Sequence, residues 1–265
     1  MTDYIAVEKR EQVRLITINR PETMNSLNFE ANDQLIEVWR EFDSDDDARV
    51  AVLTGSGDSA FCAGADLKTY TMNFATRSAP AFRQEITDGL GLGGITRGLQ
   101  INKPIIAAVN GYAISGGLEI ALACDIRFAS NEARFALQDV KWGFHPCDGG
   151  LIRLKEIVGL GNAMEMILSG EMIDADTAFR IGLVNRVVDA ELLLSETLRY
   201  ADQLSHRAPL AQQLAKNVMH RIHGMNTEEA LRLESSSFHD LAFSEDLKEG
   251  TLAFREKREA KFNGR

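Results

Sequence analysis

Strand-like and helix-like stretches alternate through roughly the first two-thirds of this chain, and then the strands stop. Residues 4–10 and 12–19 are alternating runs rich in β-forming side chains, whereas 49–54 and 105–110 are the short apolar runs of strands buried on both faces. Helical patterns run from about residue 28 to 41, from about 79 to 100, and again just after Gly116. Strands interleaved with helices specify a layered α/β core. After roughly Glu191 the character changes. Ala211, Leu214, Ala215, Val218, Met219 and Ile222 recur at helical spacing and make an amphipathic stripe. Thr227 is placed to cap a following helix that carries Ala230, Leu231, Phe238 and Leu241, and Ser244 to cap a last one ending near Arg258. Three helices with no strand between them need an apolar partner, either the core or another subunit. The expected division is an α/β core over 1–200 and a helical region over 201–265, with no internal sequence repeat and no low-complexity linker.

Composition narrows the classes of function. A formal net charge of −10 opposes a nucleic-acid partner or an anionic membrane surface. Apolar stretches are interrupted well short of a bilayer-spanning length, and the opening MTDYIAVEKR is too charged for a signal peptide. Cys62, Cys124 and Cys147 form an odd set without paired or metal-ligand spacing, which points to free thiols in a reducing compartment. The expected address is cytoplasmic.

Four tempting motifs weaken on inspection. Gly89-Leu90-Gly91-Leu92-Gly93-Gly94 matches a dinucleotide fingerprint by letter, but a helical pattern precedes it where the phosphate chemistry requires a strand. Ser115 sits where a nucleophile elbow would place its serine, yet Ala113 replaces the first glycine and the strand ends several residues earlier. Among the five scattered histidines, His220 and His223 share a helix face without a third metal ligand. Four acids between Asp43 and Asp47 lack the glycine and glutamate of a calcium loop, so no metal is expected.

Two other segments belong together. After the strand 49–54 comes a run of small residues, Gly55 to Asp66, ending at Lys68; after 105–110 come Gly111, Ser115, Gly116 and Gly117, then a helix with Glu119 in its first turn. Small residues after a buried strand can turn backbone N–H groups toward a ligand, and a helix start leaves such groups unpaired. Two N–H donors converging on one oxygen make an oxyanion hole, for which a thioester carbonyl is a natural guest. Its α-protons become acidic once the enolate is held, and a neighbouring carboxylate then serves as acid or base.

Asn19-Arg20-Pro21-Glu22 with Asn25-Ser26-Leu27-Asn28, Phe61 to Lys68, Asn110 to Glu119 and Phe254 to Arg258 resemble, in order, the signatures of the crotonase superfamily, the enoyl-CoA hydratase/isomerase family. The resemblance covers essentially the whole chain. It implies a spiral of ββα units with a C-terminal helical region, a homotrimer or hexamer, and an acyl-CoA thioester substrate. Coenzyme A is then part of the substrate, and no separate cofactor or metal is needed. By the same resemblance the Ala65 and Gly116 N–H groups bind the thioester oxygen, and Glu119 is one catalytic carboxylate. Asp139 stands where the family usually has a second glutamate, one methylene longer. Asp148 adds a third carboxylate nearby, with a helix N-cap as its plainer role. Ala63, Gly64, Asp66, Leu67 and Lys68 would line the bound substrate. Because coenzyme A is anionic and the chain acidic, basic groups must act locally: Lys68 first, then Arg20, Lys257 and Arg258, the last two toward a neighbouring subunit. Hydration of a trans-2-enoyl-CoA is the leading expectation. Behind it stand an enoyl- or dienoyl-CoA isomerase, another acyl-CoA lyase or hydrolase on this scaffold, a serine hydrolase using Ser115, and a non-catalytic acyl-CoA binder.

Overall fold

The molecule begins as an antiparallel hairpin, β1 (Ile5–Arg10), exposed beyond Ile5, and β2 (Val13–Ile18), buried along almost its whole length rather than on alternate residues. The computed structural model describes the backbone of residues 3–265 and their side chains apart from 71–75, 85 and 86. Helix α1 (Phe29–Ser44) follows, its start fixed by the Asn28 side chain, which accepts the Ala31 N–H at 2.8 Å.

Three successive units then share one plan. Each has a long strand, a short strand and helix: β3 (Val50–Gly55), β4 (Ala60–Cys62), α2 (Leu67–Thr76) and α3 (Ala79–Asp88); β5 (Ile105–Val109), β6 (Tyr112–Ile114) and α4 (Gly116–Ala123); β7 (Ile126–Ser130), β8 (Arg134–Ala136) and α5 (Gly150–Ser169). The long strands lie in a six-stranded sheet of order β1-β2-β3-β5-β7-β10, and the short ones in a four-stranded sheet of order β4-β6-β8-β9. Within each sheet the strands of the three units run parallel. The chain closes with β9 (Ile173–Asp174), α6 (Ala175–Arg180), β10 (Arg186–Val188), α7 (Leu193–Ser205), α8 (Pro209–Arg221), α9 (Thr227–Leu241) and α10 (Glu245–Glu256).

The corner between the sheets explains the Asn110-Gly111 pair. A Cβ on Gly111 would lie 2.2 Å from the Ser59 carbonyl oxygen, so only glycine passes there. Asn110 Nδ2 donates to the Gly55, Gly57 and Ala60 carbonyls at 3.1, 2.7 and 3.2 Å, and Asn25 Nδ2 donates to Ser56 and Ala60 at 3.0 and 2.7 Å. These bonds satisfy carbonyls that leave one ladder before joining the next.

Every residue of β3 and β5 is buried, as their unbroken apolar runs predict. One face packs on α1 and α4; the other packs Val13, Leu15, Val50, Val52, Ile106, Ala108 and Phe128 against Leu193 and Ala201 of α7. Helix α7 therefore belongs to the core, and the boundary expected at 200/201 cuts through it. The helix expected over 79–100 ends at Asp88, because Gly91, Gly93 and Gly94 take left-handed conformations. The cap of α9 is Asn226, which accepts the Glu229 N–H at 3.0 Å, and not Thr227; Ser244 caps α10 as expected, accepting the Leu247 N–H at 3.0 Å. Of the α8 stripe, Val218 is buried while Met219 is 71% exposed. Phe238 of α9 and Phe254 of α10 are likewise open, at 66% and 85%.

Candidate active site

The first small-residue loop is held from behind by residues 24–27. Ala63 N–H donates to the Met24 carbonyl at 3.0 Å, Leu27 N–H to Gly64 at 2.8 Å, and Asp66 N–H to Leu27 at 2.8 Å. Leu27 and Ala65 are thus partners in a parallel bridge whose hydrogen bonds run through the neighbours of Ala65. The N–H of Ala65 itself points to the opposite side. Asp66 then caps α2, accepting the Lys68 N–H at 3.1 Å, with Leu67 exposed on its first turn.

The second loop brings another free amide to the same place. Gly116 opens α4, so its N–H has no intrahelical acceptor, and Ser115 before it provides no side-chain cap. A Cβ on Gly64 (φ +89°) would lie 2.9 Å from the Gly116 nitrogen, and one on Gly116 would lie 3.5 Å from the Ala65 nitrogen. The two loops touch where glycine alone allows it, and the Ala65 and Gly116 amides come side by side. Neither donates to a protein acceptor among the described residues.

Glu119 reaches from α4 to the start of α5. Its Oε1 accepts the N–H groups of Asp148 and Gly150 at 2.7 and 2.8 Å. Burial pushes its carboxyl up to about 7, helped by the charges of Asp148 and Asp139 and opposed by those two amide bonds. Asp139 opens a 3-10 turn, Asp139–Trp142, and is 4% exposed. Burial raises its pKa too, against its own amide, the Ser115 hydroxyl and His145. Its Oδ2 is buried with no hydrogen-bond partner among the described residues. The site therefore pairs two free amides with two carboxyls able to hold a proton nearer neutrality than an exposed acid can.

Asp148 does not cap α5 as expected. Gly149 is the N-cap of α5, and Asp148 Oδ1 is taken by the Leu92 N–H at 3.1 Å, the Thr96 hydroxyl at 3.3 Å and Arg97 Nε at 3.1 Å. Ser115 does sit in a strand–turn–helix with a strained backbone, φ 48° and ψ −119°. Its Oγ, however, accepts the Gln138 N–H at 3.2 Å, and no histidine bonds to it among the described residues. His220 and His223 face Asp125 and Glu156, and no cluster that could hold a metal occurs among the described residues.

The basic residues divide. Arg20 is buried over the Tyr4 ring; its Nη1 donates to the Ser26 carbonyl and its Nη2 to Asp66 Oδ2 at 3.3 Å. It braces the first loop from beneath, a task that withdraws its charge from solvent. Lys68 is exposed beside that loop. Lys257 (φ 56°) and Arg258 end α10 in the helical layer, where Arg258 pairs with Glu249 at 2.6 Å. The residues that sequence reasoning missed are Leu92, Thr96, Arg97, Arg153 and the amides of Asp148 and Gly150. Only the Gly149-Gly150 pair before α5 hinted at them.

A model of the family described as enoyl-CoA hydratase/isomerase matches residues 8–265. The chain belongs to that family. Among its relatives, (E)-benzylidenesuccinyl-CoA hydratase of Thauera aromatica is 40% identical over 98% of this chain and 99% of that one. Short-chain-enoyl-CoA hydratase of Clostridium acetobutylicum is 38% identical over 96% and 95%. The crystal structure of an enoyl-CoA hydratase from Mycobacterium tuberculosis H37Rv shares 34% identity and the whole length of both chains, with a TM-score of 0.90. The crotonase fold expected from the sequence is thus the fold of this family member, and its ββα units are the three described above.

Proposed function

We propose that the chain is an enoyl-CoA hydratase that adds water across the double bond of a trans-2-enoyl-CoA thioester. The observation that carries this reading is Glu119: a buried carboxyl raised to about 7, gripped through one oxygen, one helical turn beyond the free amide of Gly116. The Ala65 and Gly116 amides serve as the oxyanion hole, receiving the thioester oxygen as it gains charge. Water adds its oxygen at the β-carbon and gives up a proton to an ionised carboxyl, while the α-carbon gains a proton from the other. Glu119 and Asp139 share this work, and the net change is one water. Relatives named as hydratases of short-chain enoyl-CoA and crotonyl-CoA support the substrate class. Coenzyme A enters with the substrate, Lys68 meeting its phosphates, so no further cofactor is invoked. The exposed apolar side chains of α8–α10 cover one another in a homotrimer or hexamer, and the free thiols fit a cytoplasmic address.

The test is incubation with 2-enoyl-, 3-enoyl- and 2,4-dienoyl-CoA thioesters, reading absorbance and product mass. Hydratase action removes the 2-enoyl absorbance and adds the mass of one water. The shorter Asp139 favours one rival, an isomerase working with Glu119 alone; double-bond migration without gain of mass would establish it.

A further inference from the structure

Asp148 stands where the chain turns into α5, and its two ends serve different segments. Its backbone N–H donates to Glu119 Oε1 at 2.7 Å. Its carboxylate reaches the loop before β5, where Leu92, Thr96 and Arg97 all donate to Oδ1. The connection is doubled. Arg97 Nη2 also donates to the Cys147 carbonyl, while Arg153 of α5 donates to the carbonyls of Asp148 and Thr96 at 3.2 and 2.8 Å. Gly91 makes this approach possible, because a Cβ there would lie 2.7 Å from Asp148 Oδ1 and 2.3 Å from Thr96 Oγ1. The clamped loop in turn lays Leu92 on the free-amide turn: a Cβ on Gly116 would lie 2.3 Å from Leu92 Cδ2. One aspartate thus joins the grip on Glu119 to the wall over Gly116.

An acceptor oxygen that carries three donors, one of them a guanidinium, is held firmly in place. We propose that Asp148 is a positioning residue for Glu119: pinned by Arg97, Thr96 and the Leu92 amide, it holds the turn whose N–H groups grip Glu119 and keeps a negative charge beside it. This rests on the reading of Glu119 as a proton-transferring group. The charge of Asp148 is the second contributor, after burial, to the raised pKa of Glu119. The other charged or titratable groups facing this corner are Asp139 of the 3-10 turn, Arg97 of the loop, Cys147 and Arg153 at α5, and Tyr70 of α2. His145 faces Asp139.

The decisive comparison is Asp148→Asn, which keeps an acceptor oxygen and removes the charge, against Asp148→Ala, which removes both. Carbon-13 NMR of the Glu119 carboxyl, assigned through Glu119→Gln, follows its titration without substrate, and the pH profile of 2-enoyl-CoA hydration follows its use. Asp148→Asn is expected to lower the Glu119 midpoint by about one unit, the size of a neighbouring like charge. The profile limb set by Glu119 then moves to lower pH by the same amount, with KM within about twofold of wild type. Asp148→Ala should add a kcat loss of about 10- to 100-fold, the cost of a misplaced reacting group. An unshifted Glu119 titration in Asp148→Asn, or losses confined to thermal stability in both variants, overturns the proposal. A wild-type protein inert toward every 2-enoyl thioester overturns the hydratase reading instead, and the titration still decides the positioning role.

Discussion

The turns around Glu119 and the three helices that end the chain treat their side chains in opposite ways. Around Glu119 polar groups are taken out of water and most are fitted with partners: its Oε1 holds two amides, and Asn25 and Asn110 satisfy the carbonyls of the corner, while Asp139 Oδ2 is left without one among the described residues. In α8–α10 apolar groups are left in water, Phe254 and Met219 among them. Burying a carboxyl costs stability, and exposing a phenylalanine forgoes it. A chain tolerates the first where chemistry uses the group and the second where another surface covers it. The contrast sets a region whose partners come from turns of the same chain against a helical layer whose apolar side chains stay open, the layer for which a second copy is proposed.

Four measurements break or sharpen this contrast. The largest effect is expected for Glu119→Gln, which keeps an acceptor for both amides and should lower kcat by about 10²–10⁴-fold. The same variant should gain stability. Because the folded-state pKa is raised, the contribution of Glu119 is fully present below its ordinary value of 4.5 and is lost as pH rises through about 7. Glutamine avoids that loss. At pH 8 the variant should be more stable than wild type by up to about 3 kcal/mol, fading to nothing below pH 5, as read by denaturant unfolding. A variant less stable at pH 8 would show that the site bears no burial cost.

Asp139→Asn comes next, with a kcat loss expected at the lower end, about 10²-fold. Near-normal hydration in steady-state assays would remove Asp139 from the chemistry and leave Glu119 to act alone. Third, replacing Phe238 and Phe254 together by Asp should shift the light-scattering mass toward the monomer. A wild-type protein that is already monomeric at micromolar concentration would refute the second-copy explanation of the helical layer. The smallest effect is expected for Lys68→Ala: KM several-fold higher and kcat nearly unchanged, since a remote phosphate contact stabilises ground and transition states alike. A loss seen wholly in kcat would place Lys68 among the reacting groups.

Much of the fold could be read from local pattern. The buried runs of β3 and β5 and the Ser244 cap follow from burial and short-range hydrogen bonding, and all three stand where expected. Thr227 was one residue off because Asn226 beside it caps as well and captured the amide. The stretch after Asp88 misled because its apolar residues keep helical spacing while its glycines do not keep helical dihedrals. The ββα recurrence left no sequence repeat, since each unit needs only burial and a sharp corner, which different side chains supply equally well.

By itself the sequence determined the alternation of strands and helices, the two small-residue turns and the presence of Glu119 beside the second. These depend on neighbours a few residues apart, whose preferences act before the chain is packed. Only the tertiary structure decided what each carboxylate became. Glu119 meets Gly150, 31 residues away, and Asp148 meets Arg97, 51 residues away. Across such separations no local preference operates. Burial, the pairing of Asp148 with Arg97 and the raised pKa of Glu119 exist only once the units have coiled together and expelled the water between them.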